Sequence, residues 1–349
     1  MRRSLLVVVG SGGVGKTTLA AAIGLASARR GHDTLVMTFD PSLRLKDSLG
    51  VGDEARTQEV EVAAGTRGRL YASLLDARQT FDRLVQRYAP DPAARDRILA
   101  NRFYDHLSGS LAGVLEYMAV ERLFEVAREG RYDRVVLDTP PTRQALDFLE
   151  APERIVDFLD SGALRIALKP WFDEHGHLRG ASRLGLIGRN IEAFLDRIVG
   201  LELLRDMAEF FQAFGPLYEG FRTRAAEVQA LLRAPGTGFI LVAGPGEEHV
   251  PDTMFFARKL GESGLRLGPV VVNRVHPKEL GSVDGEDEAA RLLRWLAERD
   301  RRGLAALRSL LAGRHRLVEV PLLPEEPADF ASLGELAGRL EELLDGSAA

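Results

Sequence analysis

"VVVGSGGVGKTTLAAAIG", residues Val7–Gly24, is the stretch on which the reading of this chain turns. An apolar β-branched run breaks into glycines, and a run of helix-forming residues follows at once. Gly10, Gly15, Lys16 and Thr17 satisfy the spacing G-x-x-x-x-G-K-[ST], with Ser11, Gly12, Gly13 and Val14 filling the interior. Glycines let backbone N–H groups converge on an anion with no Cβ in the way, and a helix starting at the loop adds the positive end of its dipole. The pattern predicts a cradle for the phosphates of ATP running from Gly10 through Thr18. Lys16 would reach the β- and γ-phosphates, and the Thr17 hydroxyl would ligate Mg²⁺. A glycine-rich turn with a chance lysine is the competing reading, and the strand before and helix after argue against it.

Outward from this loop, short apolar runs recur between helical patterns. Leu5–Val9, Thr34–Phe39, Leu70–Leu75, Arg134–Leu137, Phe239–Ala243, Val270–Val272 and Leu317–Val320 are apolar on both faces, as strands buried in a parallel sheet must be. Helical stretches between most of them imply right-handed crossovers. The expected fold class is therefore α/β, a doubly wound, mostly parallel sheet of about 7–8 strands in a P-loop core. One region breaks the rhythm. Residues 152–235 show only helical periodicity, and Met207, Phe210, Phe211, Phe214, Tyr218 and Phe221 recur three and four apart. The expected organisation is a core of residues 1–151 and 236–349 with a helical insertion at 152–235. "GVGDEARTQE", "DEHGHLRG" and "LGSVDGEDE" read as flexible connections.

Two carboxylates stand at strand ends. Asp40 follows the second run in "TLVMTFDPSLRLKD", where a carboxylate at a strand's C-terminal end faces the ligand crevice of such sheets and would orient or deprotonate an attacking water. An N-cap or Asx turn before Pro41 is the other reading. Asp138 ends "RVVLDTPPT" and would hold the magnesium hydration shell, with a simple turn aspartate as the alternative.

Composition narrows the function classes. The chain has 349 residues, 45% hydrophobic and 28% charged, with a formal net charge of -5, so no global basic field would draw nucleic acid. The absence of cysteine excludes disulfides, iron–sulfur clusters, thiolate zinc sites and thiol arsenic chemistry within the chain. "MRRSLLVVVG" is too short an apolar run for a signal peptide and leads into the glycine loop, and no segment approaches the ~20 apolar residues of a membrane span. A soluble, cytoplasmic protein is expected. His175 and His177 lack a full metal-ligand set, and His249 and His276 read as surface or core histidines.

Three motifs together resemble the arsenite-translocating (ArsA-like) ATPase family, which includes the ATPase that targets tail-anchored membrane proteins. That family carries G-K-G-G-V-G-K-T, D-P-A-H-x-L-x-D and D-T-A-P-T-G-H-T-L-R; this chain reads "GSGGVGKT", "DPSLRLKD" and "DTPPTRQAL". "VVVNRVHP" resembles its adenine-contacting V-V-N-x-x-x-P, which would set Asn273 beside the base, and "VEVPLLPEEP" its late loop, where Pro321 and Leu322 would flank the adenine. The resemblance implies Mg–ATP hydrolysis, with Asp40 handling the water and Asp138 holding the magnesium shell. It further implies a dimer closing around two nucleotides, with a hydrophobic protein client bound at the helical insertion. Packing of the Met207–Phe221 stripe on its own neighbours is the plainer alternative.

The departures are specific. Family cysteines are missing, Leu43 replaces the switch histidine, and Arg143–Gln144 replace a glycine–histidine pair. Ser11 stands where the family has the lysine that reaches across the dimer, and such a cation supplied in trans can be worth about 10³–10⁵ in rate. The expected function is an ATP-driven dimeric switch, slow when alone or aided by another cation such as Arg44. The alternatives are a nucleotide-gated, non-catalytic subunit of a heterodimer with a lysine-bearing relative, or a partition- or septum-type ATPase. The acidic tail "LGELAGRLEELLDGSAA" argues against the last.

Overall fold

The computed structural model describes residues 5–39, 44–62, 65–102, 104, 114–139, 206, 209–210, 213, 218–277, 288–311, 313–325, 327 and 329–346. The chain divides into two compact units, one of Met1–Asp76, Phe124–Asp147 and Ala230–Ala349, the other of Ala77–Leu123 and Phe148–Gln229. The second unit thus draws on Ala77–Leu123 as well as on Phe148–Gln229.

The first unit is built on an eight-stranded sheet. Its strands are β1 (Leu5–Gly10), β2 (Thr34–Thr38), β3 (Val60–Val62), β4 (Leu70–Leu74), β5 (Arg134–Asp138), β6 (Thr237–Ala243), β7 (Leu267–Val275) and β8 (Leu317–Pro321). They lie in the order β3-β4-β2-β5-β1-β6-β7-β8, with every pairing parallel except β3 against β4. β1, β2, β5 and β6 are buried along their whole length, which accounts for apolar runs without polar alternation. β1 lies between β5 and β6, where the chain's later strands turn to the other side of the sheet, and ligands bind outside the carboxyl ends of strands at such a switch.

Helix α1 (Lys16–Arg29) is buried from Lys16 through Ala28 except at Thr18, because it lies between the sheet and a C-terminal helix. That partner, here called αC (Phe330–Gly346), brings Leu333, Leu336, Ala337 and Leu340 to the same core. Small residues along α1 make the double-sided burial possible. The segment expected to be flexible at 50–59 instead contains a 3₁₀ turn, Asp53–Arg56, with Ala55 fully buried and Lys46 paired to Asp53 at 2.7 Å.

In the second unit the described elements are helical. Asp91 caps the helix Pro92–Leu99 by accepting from the Ala94 N–H at 2.7 Å, with proline at the first turn. Tyr104 is fully buried between Phe81 and Phe210, at centroid distances of 5.0 and 6.3 Å, and its hydroxyl donates to Asp82. Arg224 pairs with buried Glu121 at 2.6 Å and lies 3.9 Å over the Tyr88 ring. Phe210, one member of the expected apolar stripe, is therefore an interior side chain. Met207, Phe211 and Phe214, and the side chains of Tyr218 and Phe221, lie outside the described residues.

Candidate functional site

The loop after β1 is closely packed at both ends, against the β6 backbone at one and the Asn273 side chain at the other. Gly10 has φ 150, and a Cβ there would meet the Val242 carbonyl oxygen of β6 at 2.2 Å. Gly15 has φ 90, and a Cβ there would meet Asn273 Nδ2 at 2.4 Å. These two positions admit only glycine, and between them Ser11, Gly12 and Gly13 reach the surface while Val14 is buried. α1 begins at Lys16 with no side-chain cap and no acidic residue in its first turn. Its leading N–H groups and dipole are thereby left to whatever the loop encloses. Lys16 is buried, and its Nζ donates to the Ser11 carbonyl at 2.8 Å, folding the ammonium back over the loop.

Register supplies the second feature. Asp138, the last residue of β5, lies level with Val8 of β1 and Thr38 of β2. Its carboxylate is fully buried, and Oδ2 accepts from Thr17 Oγ1 at 2.7 Å and from Thr38 Oγ1 at 2.9 Å. One carboxylate oxygen thus gathers hydroxyls from the loop helix and from the neighbouring strand. Thr139 anchors the exit of β5 by donating from its hydroxyl to Val8 O at 2.8 Å. Asp40 and the side chain of Arg44 lie outside the described residues, as do Pro140, Pro141 and Thr142.

The third feature is a cavity of about 220 Å³ beside the loop, lined by Gly15, Thr18, Asn273, Arg274, Pro321 and Leu322 among others. Asn273 Nδ2 donates to the Val14 carbonyl at 2.9 Å, and the Leu322 N–H donates to Val275 O at 2.8 Å, closing β8 onto β7. Arg274 adopts φ 61, a conformation costing about 1–2 kcal/mol for a residue with a side chain, and its Nη1 donates to Gly13 O at 3.1 Å. Behind it, buried Asp300 braces the turn after β7 by accepting from the His276 N–H at 3.0 Å and pairing with His276 Nδ1 at 2.7 Å. His276 is a structural brace.

Of the residues read from sequence, Thr17 and Asp138 are bonded to each other and Lys16 folds onto Ser11 of the same loop, while Thr18, Asn273, Pro321 and Leu322 line one cavity with Gly15. Thr38 and Arg274 were not anticipated. The position of Thr38 depends on the pairing of β2 with β5, and Arg274 carries no sign beyond following Asn273. A lysine-bearing anion loop, a buried carboxylate with two hydroxyls and an adjacent slot together suit a nucleoside polyphosphate with its divalent cation. Among the described residues no three histidine or acidic side chains cluster as an all-protein metal cage. The oxygen donors of Thr17 and Asp138 instead fit Mg²⁺, which takes few protein ligands and keeps waters and phosphates as the rest.

A family model described as Anion-transporting ATPase matches residues 3–342. The SCO2128 protein of Streptomyces coelicolor is 30% identical over 278 residues, covering 78% of this chain and 63% of its own. A protein of Aquifex aeolicus named arsenical pump-driving ATPase 1 is 24% identical over 340 residues, 95% of this chain and 77% of its own. ATPase GET3 of Kluyveromyces lactis is 27% identical over 240 residues, 61% of this chain and 65% of its own. The match thus spans a little under two thirds of the first and third of these relatives. Among the described residues no helix is long and apolar enough to cross a membrane.

Proposed function

Because the chain belongs to the anion-transporting ATPase family, we propose that it binds Mg–ATP and hydrolyses it, using nucleotide state to control attachment of a protein client or partner. The observation that supports the reading is the bond of Thr17 to buried Asp138, beside a loop over which Lys16 folds and whose Gly10 and Gly15 leave no room for a Cβ. The amides of residues Gly12 to Thr18 bind the β- and γ-phosphates, and Lys16 exchanges its bond to Ser11 O for phosphate oxygens. Asn273, Pro321 and Leu322 receive the adenine. Thr17 and Asp138 would hold Mg²⁺, with Asp138 also fixing the Thr17 rotamer. The ion, when bound, neutralises charge that builds on the γ-phosphate. Asp40 orients the water that attacks the γ-phosphorus as the bond to the bridging oxygen breaks, releasing ADP and phosphate.

Ser11 favours a second arrangement of the same function. A serine supplies no charge to the departing phosphates, and the Ser11 carbonyl is itself occupied by the chain's own Lys16. In a heterodimer, a lysine-bearing relative would complete this chain's site, whereas a homodimer would hydrolyse slowly.

Steady-state Mg–ATP hydrolysis by the purified chain, with Lys16→Ala as background, tests the proposal. Turnover above that background is the expected result, and Ser11→Lys should raise it by at least ~10-fold if a cation is what the loop lacks. A chain that neither binds nor hydrolyses Mg–ATP refutes the function. Tight binding without turnover, unaltered by Ser11→Lys, leaves binding and removes catalysis.

A further inference from the structure

The chain passes between its two units four times, after Asp76, Leu123, Asp147 and Gln229. Three of these passages run through a helix or open directly into one: Ala77–Tyr88 follows β4, Val114–Glu129 leads to β5, and Tyr218–Arg233 leads to β6. The links between helix and strand are two, four and three residues long, too short to absorb much movement. The three helices meet at one side chain. Arg224 pairs with Glu121 at 2.6 Å, and its guanidinium carbon lies 3.9 Å from the centre of the Tyr88 ring. The last helix is thereby tied to the middle of the second and to the end of the first. The pair is buried, with the Glu121 side chain 0% exposed and that of Arg224 7%. Apolar side chains would hold these helices as well or better, since the cost of burying two charges offsets most of their attraction. What the pair adds is registry. A slip of one helix by a turn, ~5.4 Å, would strand both charges in the interior.

We propose that Glu121 and Arg224 form a registry lock that makes the three helices move as one body and so carries nucleotide state from the sheet into the helical unit. β5 and β6 are the two neighbours of β1, the strand that enters the phosphate loop, and β5 ends at Asp138. A shift of those strands as Mg–ATP is bound or hydrolysed passes through the short links to the helices that the lock joins. Without the lock each helix would adjust alone, and the shift would dissipate before it reached the helices Ala77–Tyr88 and Pro92–Leu99. The inference rests on the nucleotide reading of the site.

The test is amide hydrogen exchange in the full chain, with and without a slowly hydrolysed Mg–ATP analogue. In the wild type the analogue should slow exchange ~10-fold or more over residues 16–29, and should change it ~3-fold or more over residues 77–99. Glu121→Leu with Arg224→Met replaces the pair by apolar groups, and its thermal midpoint should equal or exceed that of the wild type. Its affinity for the analogue and the slowing over residues 16–29 should stay within ~3-fold of wild type, while the change over residues 77–99 is lost. Glu121→Gln, which keeps the shape and removes the charge, should weaken the distant response in the same direction, and it carries the comparison if the double variant does not fold. A variant that responds over residues 77–99 as the wild type does overturns the inference. Wild-type chain that responds over residues 16–29 and not over 77–99 overturns it too, and leaves the nucleotide reading standing. Wild-type chain that does not bind the analogue at all defeats the nucleotide reading itself, and the inference falls with it.

Discussion

Asp138 is the residue at which strand register becomes chemistry. Its one oxygen holds Thr17 and Thr38 in place, with the carboxylate fully buried. A charged acceptor makes each such bond worth about 1.5–3 kcal/mol. Asp138→Asn keeps the shape and an oxygen acceptor but removes the charge that a magnesium shell needs. Turnover should fall by ~10²-fold or more, and Mg²⁺ should lose most of its effect on ATP affinity while circular dichroism stays native. Wild-type turnover with intact Mg²⁺ dependence would falsify the assignment. The anion loop was legible in sequence because its parts are consecutive residues, and Asp138 because it closes an apolar run. Thr38 was not legible, since a lone hydroxyl at a strand end means nothing until β2 is registered against β5. Asn273 was read from sequence only through a motif resemblance, and Arg274 shows the same limit as Thr38. Their bonds to Val14 and Gly13 join positions far apart in the chain, and no local pattern marks an arginine for a left-handed backbone.

Among elements, the buried parallel strands were readable because both faces are covered and the sequence has no reason to alternate. β3 escaped for the opposite reason. It is three residues at the sheet edge, Val60–Val62, with an exposed glutamate in the middle, and it is paired only by the antiparallel fit to β4. Helix α1 is the element whose packing is least forgiving. Gly24 sits in its middle, where a Cβ would come within 2.2 Å of Val36 Cγ2 on β2. Alanine there gains about 1 kcal/mol of helix propensity but overpacks a fully buried contact at about 1–3 kcal/mol. Gly24→Ala should therefore lower stability in denaturant melts, by up to about 2 kcal/mol in the net. In a Val36→Ala background, where the colliding methyl is gone, the same substitution should become neutral or stabilising. Equal cost in both backgrounds would mean that the Val36 contact is not what makes glycine necessary.

For the whole molecule, the charge pattern sets the response to acid. Asp33, held mainly by its hydrogen bond from Arg69, has its carboxyl below the usual range, as do Asp53 beside Lys46, Glu298 beside Arg301 and Asp329 beside Ser332. His315 is also lowered, chiefly by burial in the turn before β8, with a backbone bond at Leu267 opposing it. The two classes act with the same sign. A carboxylate whose folded pKa is depressed contributes stability above its ordinary pKa of about 4, and that contribution is lost as pH falls through the folded value. A histidine kept neutral by burial is protonated more readily in the unfolded chain, so stability is full above about pH 6.5 and declines below it. The thermal midpoint should accordingly be level near neutrality, fall first between about pH 7 and 5, and fall again below about pH 4.5. His315→Gln should shrink the first decline and leave the second, whereas Asp33→Asn should soften only the second. The size of the Asp33 effect is small because the pair with Arg69 is exposed and screened. If His315→Gln tracks the wild type through the whole range between pH 7 and 5, the first decline belongs to other groups and burial at His315 does not govern it.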